Sequence, residues 1–163
     1  MKLIGIDPGL RITGWGLINV KINHLSFIEC GVITPPIKDN IASRLSYIYN
    51  SITALVNKFS PSAAAIEQIF VNKNPSSSLN LGMARGAAIL SFSNKGIEIS
   101  EYSSREVKKA VTGSGKAEKG QVKSMVNILL PNSNPPNEDA SDALAVAICH
   151  AHTASSKKNL YTK

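Results

Sequence analysis

A mixed α/β sheet flanked by helices is the fold this sequence predicts, and three observations predict it. Three extended runs fill the first 34 residues and are joined by short polar links, the pattern of an antiparallel meander. Across residues 41–59 the apolar residues then recur at steps of three and four, the period of an amphipathic helix. A short apolar run, Ala63-Ala64-Ala65-Ile66, follows that helix. A strand after a helix after a strand is a crossover, so this run is expected to lie parallel to an earlier strand. The expectation is a five-stranded mixed sheet, three antiparallel strands first and parallel strands after.

The elements follow in order. Leu3-Ile4-Gly5-Ile6 ends in Asp7, and Pro8-Gly9 turns the chain. Strands are expected at residues 2–6, 12–20 and 25–34, and Pro35-Pro36 ends the third. Asp39 or Asn40 caps the helix over 41–59, whose apolar face carries Ile41, Leu45, Ile48, Ile52, Leu55, Val56 and Phe59. Pro61 stops it, and the Ala63–Ile66 strand ends in a second lone carboxylate, Glu67. Residues 76–93 predict another helix, capped within Ser76 to Ser78. Its Gly82, Ala84, Gly86, Ala87 and Ala88 leave a flat surface, either for the domain's own sheet or for a second subunit. Gly96 followed by Ile97, Ile99 and Tyr102 suggests the fifth strand. Two short helices around Gly113-Ser114-Gly115 fit residues 103–131, and Pro131 to Pro136 is a loop. Asn137 caps a final helix, Glu138 to about Ala151. Residues 1–154 are expected to form one domain, and 155–163 a basic, disordered tail.

Composition narrows the function. The chain has 163 residues, 43% of them apolar, enough for the core of one domain. Its formal net charge of +7 and pI near 9.5 favour a polyanionic partner, nucleic acid being the commonest. No apolar run approaches the ~18 residues of a membrane span, and Asp7 and Arg11 interrupt any signal-peptide pattern. Cys30 and Cys149 make no disulfide framework. A cytoplasmic protein is expected.

Four acids carry the chemistry. Asp7 and Glu67 each end a short apolar strand. If those strands are parallel neighbours, both carboxylates emerge at one edge of the sheet, where sites form. Asp139 and Asp142 stand three apart in the first turn of the last helix and share a face, where the helix dipole tolerates their charge. Glu138 points elsewhere on that turn and reads as a surface acid. Any one of these would ordinarily be a capping or solvated acid; the two strand-end acids tip the balance. Converging carboxylates repel, and hard divalent cations such as Mg²⁺ or Mn²⁺ relieve them. Two such ions in one site suit phosphodiester chemistry. The densest cation cluster is Arg105, Lys108, Lys109, Lys116, Lys119 and Lys123. Cations for the phosphates beside acids for a metal is the charge layout of a nuclease.

The runs GIDPG at 5–9, TGWG at 13–16, IEQIF at 66–70, GSGKAEKGQV at 113–122 and EDASDALAVAICHAH at 138–152 resemble the RuvC family of Holliday-junction resolvases. They stand in the family's order and spacing over about residues 1–152. The resemblance implies an RNase H-like fold and a homodimer that nicks two opposed strands of a four-way DNA junction in recombination and repair. It implies two ions per site, Mg²⁺ or Mn²⁺, and work alongside the RuvA and RuvB branch-migration complex. Asp7, Glu67, Asp139 and Asp142 match the family's four catalytic acids. Some relatives carry histidine at the third position, which here is Asp139. Phe70 matches an aromatic that stacks on junction bases, though it also reads as a core residue just past a strand. Lys108 or Lys109, and Lys119, match basic positions near the scissile phosphate.

Other readings fall away. A P-loop at Gly113-Ser114-Gly115-Lys116 fails, because Ala110 and Ala117 stand where glycine and Ser or Thr are required. Cys149, His150 and His152 lack a complementary pair for zinc. An actin- or Hsp70-like ATPase needs two such domains, and a binder without catalysis would not need four acids. A related nuclease acting on RNA is separated by a substrate comparison.

Overall fold

The Pro8-Gly9 turn sends the chain back along itself, and the fold grows from that reversal. In the computed structural model, which describes residues 1–22, 24–69 and 75–161 with side chains through residue 154, β1 (Lys2–Asp7), β2 (Thr13–Lys21) and β3 (His24–Ile33) form an antiparallel meander. The helix α1 (Ile41–Phe59) crosses over to β4 (Ala63–Glu67), and α2 (Pro75–Ser93) crosses to β5 (Ile99–Tyr102). Both crossovers give parallel pairs, β1 with β4 and β4 with β5, in a sheet ordered β3-β2-β1-β4-β5. The mixed five-stranded sheet expected from the sequence is the sheet observed.

Several helix ends have a local reason. Asn40 caps α1, its side chain accepting from the Ser43 N–H at 2.9 Å. Ser60 closes α1 in the left-handed region at φ 49°, its N–H on the Val56 carbonyl, and Pro61 forbids another turn. The helix α2 begins at Pro75, one residue before the expected serines, because proline suits a first helical position with no N–H to satisfy. Ser103 and Glu106 cap α3 (Ser104–Thr112) reciprocally, and Gly113 ends it at φ 81°. The helix α4 (Lys119–Leu129) follows. The last helix, α5, runs Glu138–Tyr161, well past the Ala151 end read from its apolar face. No glycine or proline follows Asn137 to stop it.

The sheet buries both faces. Ile4, Ile6, Trp15, Leu17 and Ile66 pack under α1 and α2. Leu3, Ile18 and Ala65 pack under α5, with α3 and α4 beside it. Strand alternation therefore assigns Gly5, Asp7, Gly14, Gly16 and Glu67 to the α5 face.

That face is built for close approach. Gly5 pairs across the ladder with Gly16, and Asp7 with Gly14. A Cβ on Gly5 would overlap the Ala143 carbonyl oxygen of α5, and one on Gly14 would overlap the Asp139 carbonyl oxygen. A Cβ on Gly16 would stand 2.7 Å from the Leu144 side chain. The α5 backbone therefore lies directly on the sheet, and Gly14 seats its first turn beside Asp7. Gly5→Ala is expected to destabilise the protein by about 3 kcal/mol, read as a lower urea midpoint at unchanged slope.

Candidate active site

The site is an acid cluster assembled from the two ends of the chain and its middle. Asp7 ends β1, Glu67 ends β4, and the Ile6–Ile66 register sets these carboxyl-terminal ends side by side. Beyond Asp7 the chain is held tightly. The Thr13 hydroxyl donates to the Gly9 carbonyl at 2.7 Å, and the Gly9 N–H donates to Thr13 Oγ1 at 3.2 Å. Arg44, from α1, donates to the Leu10 carbonyl at 2.7 Å. Opposite these strand ends stands the first turn of α5. Asn137 Oδ1 accepts from the Ala140 N–H at 3.0 Å, and Asn137 Nδ2 donates to the Asp139 carboxylate at 2.7 Å. One asparagine thus caps the helix and orients an acid.

Asp7, Glu67 and Asp142 line a cleft of about 300 Å³ with Ser104, Lys108 and Lys119. Asp139 stands at its margin, close enough to bear on the charges of Asp7 and Asp142. Burial, and then Asp142, Glu67 and Asp139, push the Asp7 carboxyl up to about 8. Burial raises Glu67 as well, offset in part by Ser104, Lys108 and Lys119. Burial likewise raises Asp142, against the pull of Lys119. In return Asp142, above all, raises Lys119.

Such a cluster calls for a cation. Among the described residues no group of three or more His, Cys, Asp or Glu stands in metal-holding geometry. The donor chemistry fits all the same. Among the described residues the cleft offers carboxylate and hydroxyl oxygen and no thiol or imidazole, the set that suits a hard divalent ion. An ion there would return Asp7 to its ionised form.

The sequence-assigned cations divide. Lys108 and Lys119 line the cleft; of the pair Lys108 and Lys109, it is Lys108 that faces the acids. Arg105, Lys109, Lys116 and Lys123 are exposed outside it. Lys119 also meets Glu138 at 3.5 Å, an exposed pair that agrees with Glu138 as a surface acid. Phe70 lies outside the described residues.

Two positioning groups escaped the sequence reading. Ser104 faces the acids from the first turn of α3, one turn before Lys108; the Ser103–Glu106 capping box is the signal that would have placed both on one face. Arg85 of α2 donates from Nε to the Glu67 carbonyl at 3.3 Å and pairs through its guanidinium with the Glu101 carboxylate of β5. Its signal is a lone charge in a helix of small and apolar residues, Ala84-Arg85-Gly86.

The chain's relatives agree with one another. The family model described as crossover junction endodeoxyribonuclease RuvC matches residues 3–150. A protein of that name from Xanthobacter autotrophicus is 49% identical over 152 residues, which are 93% of this chain and 90% of that protein. Thermus thermophilus RuvC in complex with a Holliday junction substrate superposes with a TM-score of 0.90 at 28% identity, over 96% of each chain. The yeast mitochondrial Holliday junction resolvase Ydc2 shares the fold with a TM-score of 0.72 at 13% identity, over 96% of this chain and 82% of that one.

The raised Asp7 carboxyl carries a pH dependence. Its folded value of about 8 lies above the ordinary 3.8, so its contribution to stability is full below about 3.8 and is lost as pH rises through about 8. In chelator, the wild type is expected to lose stability between pH 5 and pH 8.5. Asp7→Asn should lose less, by on the order of a few kcal/mol, as measured by urea midpoints at both pH values.

Proposed function

The chain belongs to the family of the crossover junction endodeoxyribonuclease RuvC, and from that premise we propose which residues do the family's work and how. The chain is a structure-specific, metal-dependent endodeoxyribonuclease that resolves four-way DNA junctions in recombination and repair. Asp7, Glu67, Asp139 and Asp142 are its catalytic and metal-holding acids. The observation that carries this assignment is the gathering of acids from β1, β4 and α5 about one cleft walled by Lys108 and Lys119.

Mg²⁺, or Mn²⁺ in its place, two ions per site, would be held by these four carboxylates and would supply water activation and stabilisation of the departing 3′ oxygen. The chain's own groups do the rest. Asp7, the most buried in like charge, has Glu67 beside it along the sheet edge and Asp142 across the cleft. Lys119, kept charged chiefly by Asp142, offsets the negative charge that builds on the phosphate as in-line attack proceeds. Lys108 holds the substrate phosphate against the acids. The product is a ligatable nick with 5′-phosphate and 3′-hydroxyl ends. Arg105, Lys109, Lys116 and Lys123 extend the cation surface along the DNA, where each phosphate contact adds to a salt-dependent affinity. Phe70 is assigned to stacking on junction bases through the family resemblance.

The protein acts as a homodimer. On α2, Leu79 (65% exposed), Met83 (38%) and Leu90 (52%) share one stripe, and Gly82 and Gly86 leave open space between them. A two-fold pair of subunits presents two equal sites to the two opposed strands of a junction. RuvA and RuvB branch migration supplies the junction, in the cytoplasm. Among the described residues no helix is long and apolar enough to cross a membrane.

Two measurements check these assignments. A mobile synthetic four-way junction should be cut into paired, ligatable nicks with Mg²⁺ and not with chelator. Asp7→Asn should lose at least ~100-fold in rate while still binding the junction. Cutting of plain duplex or RNA–DNA hybrid at an equal rate would refute the substrate. Gly86→Arg, read by light scattering, should convert a dimer to monomers and turn paired nicks into single ones; an unchanged mass would remove α2 from the interface.

A further inference from the structure

A second groove, of about 790 Å³, is lined in part by Asp139 and shares no lining residue with the lysine-walled cleft. The turn after β1, the loop after β3 and the start of α2 line it. We propose that this groove holds the neighbouring nucleotide of the cut strand, its phosphate on Arg11 and its base against Ile12, Pro35 and Ile37. The proposal rests on the nuclease reading above and adds a binding site to it.

Three observations carry it. The first is continuity. Asp139 bears on the charge of Asp7 and also lines this groove, so a strand crossing the acids reaches the groove at Asp139. A strand must leave the acids in two directions, and Lys108 and Lys119 occupy only one side.

The second is charge. Arg11 is exposed, and among the described residues no carboxylate pairs with it. Arg44 spends one nitrogen on the Leu10 carbonyl at 2.7 Å, while its Nε is buried without a partner. Arg11 therefore offers the groove a guanidinium that no ion pair among the described residues neutralises. A phosphate neutralises it.

The third is the apolar lining. Ile37 is 69% exposed and Ile12 37% exposed. Apolar surface facing solvent beside arginine suits a nucleotide, which offers a flat base face and an anionic phosphate together. The volume lies in the range of ligand-sized clefts.

The test uses the full chain as Asp7→Asn, so that bound DNA stays intact. The cut position is first mapped with the wild type. Junctions then carry a photoreactive thymine analogue one or two nucleotides to either side of the cut, and crosslinked peptides are sequenced. Crosslinks from one side are expected within residues 9–12 or 34–37. Arg11→Ala should weaken junction binding several-fold and lower the slope of log K against log salt by about one. Crosslinks from both sides that fall only on α3 and α4, or a salt slope unchanged by Arg11→Ala, would overturn the groove while leaving the nuclease intact. Failure of the wild type to cut any junction would overturn the underlying reading instead.

Discussion

The structure depends on one close approach, the backbone of α5 lying against the glycines of β1 and β2. Gly5, Gly14 and Gly16 put no side chain of their own between sheet and helix. Asp7 is the ladder partner of Gly14, so the helix turn that bears Asp139 and Asp142 is set down next to the strand-end acid. Any side chain at Gly14 would lift that turn off the sheet and carry two acids away with it. Packing and chemistry are here the same contact.

The site works against the fold that holds it. Burial and mutual repulsion raise Asp7, Glu67 and Asp142 together, so each disfavours its own ionised form. Two apolar layers, one on each face of the sheet, oppose that strain. A chain of formal charge +7 shelters four carboxylates at one place and sets Lys108 and Lys119 beside them. The arrangement is poised for a cation among the acids and a polyanion outside them.

Much of this was legible in the residues. The period change at residue 41, the Ala63–Ile66 run and the lone strand-end acids follow from local rules, and β4 lies where the crossover argument put it. The α1 boundaries agree with the sequence because a cap and a proline bracket it. The end of α5 was not legible, since an apolar face shows where a helix is buried and not where it stops. Arg85 was not legible either, because its two partners, Glu67 and Glu101, lie on separate strands. The glycines could be read as strand residues, but their purpose depends on a helix more than a hundred residues later. Among the lysines, charge alone could not choose between Lys108 and Lys109. Which one faces the acids is fixed by the phase of α3, which its capping box sets.

The seating of α5 has a consequence for biosynthesis. The acids of β1 and β4 leave the ribosome before those of α5. An incomplete chain can pair its strands yet lacks both the helix that covers the glycine face and half of the acid cluster. The acid cluster is therefore assembled only once α5 has been made and laid on the glycine face. Such long-range closure also makes folding slow relative to a local fold.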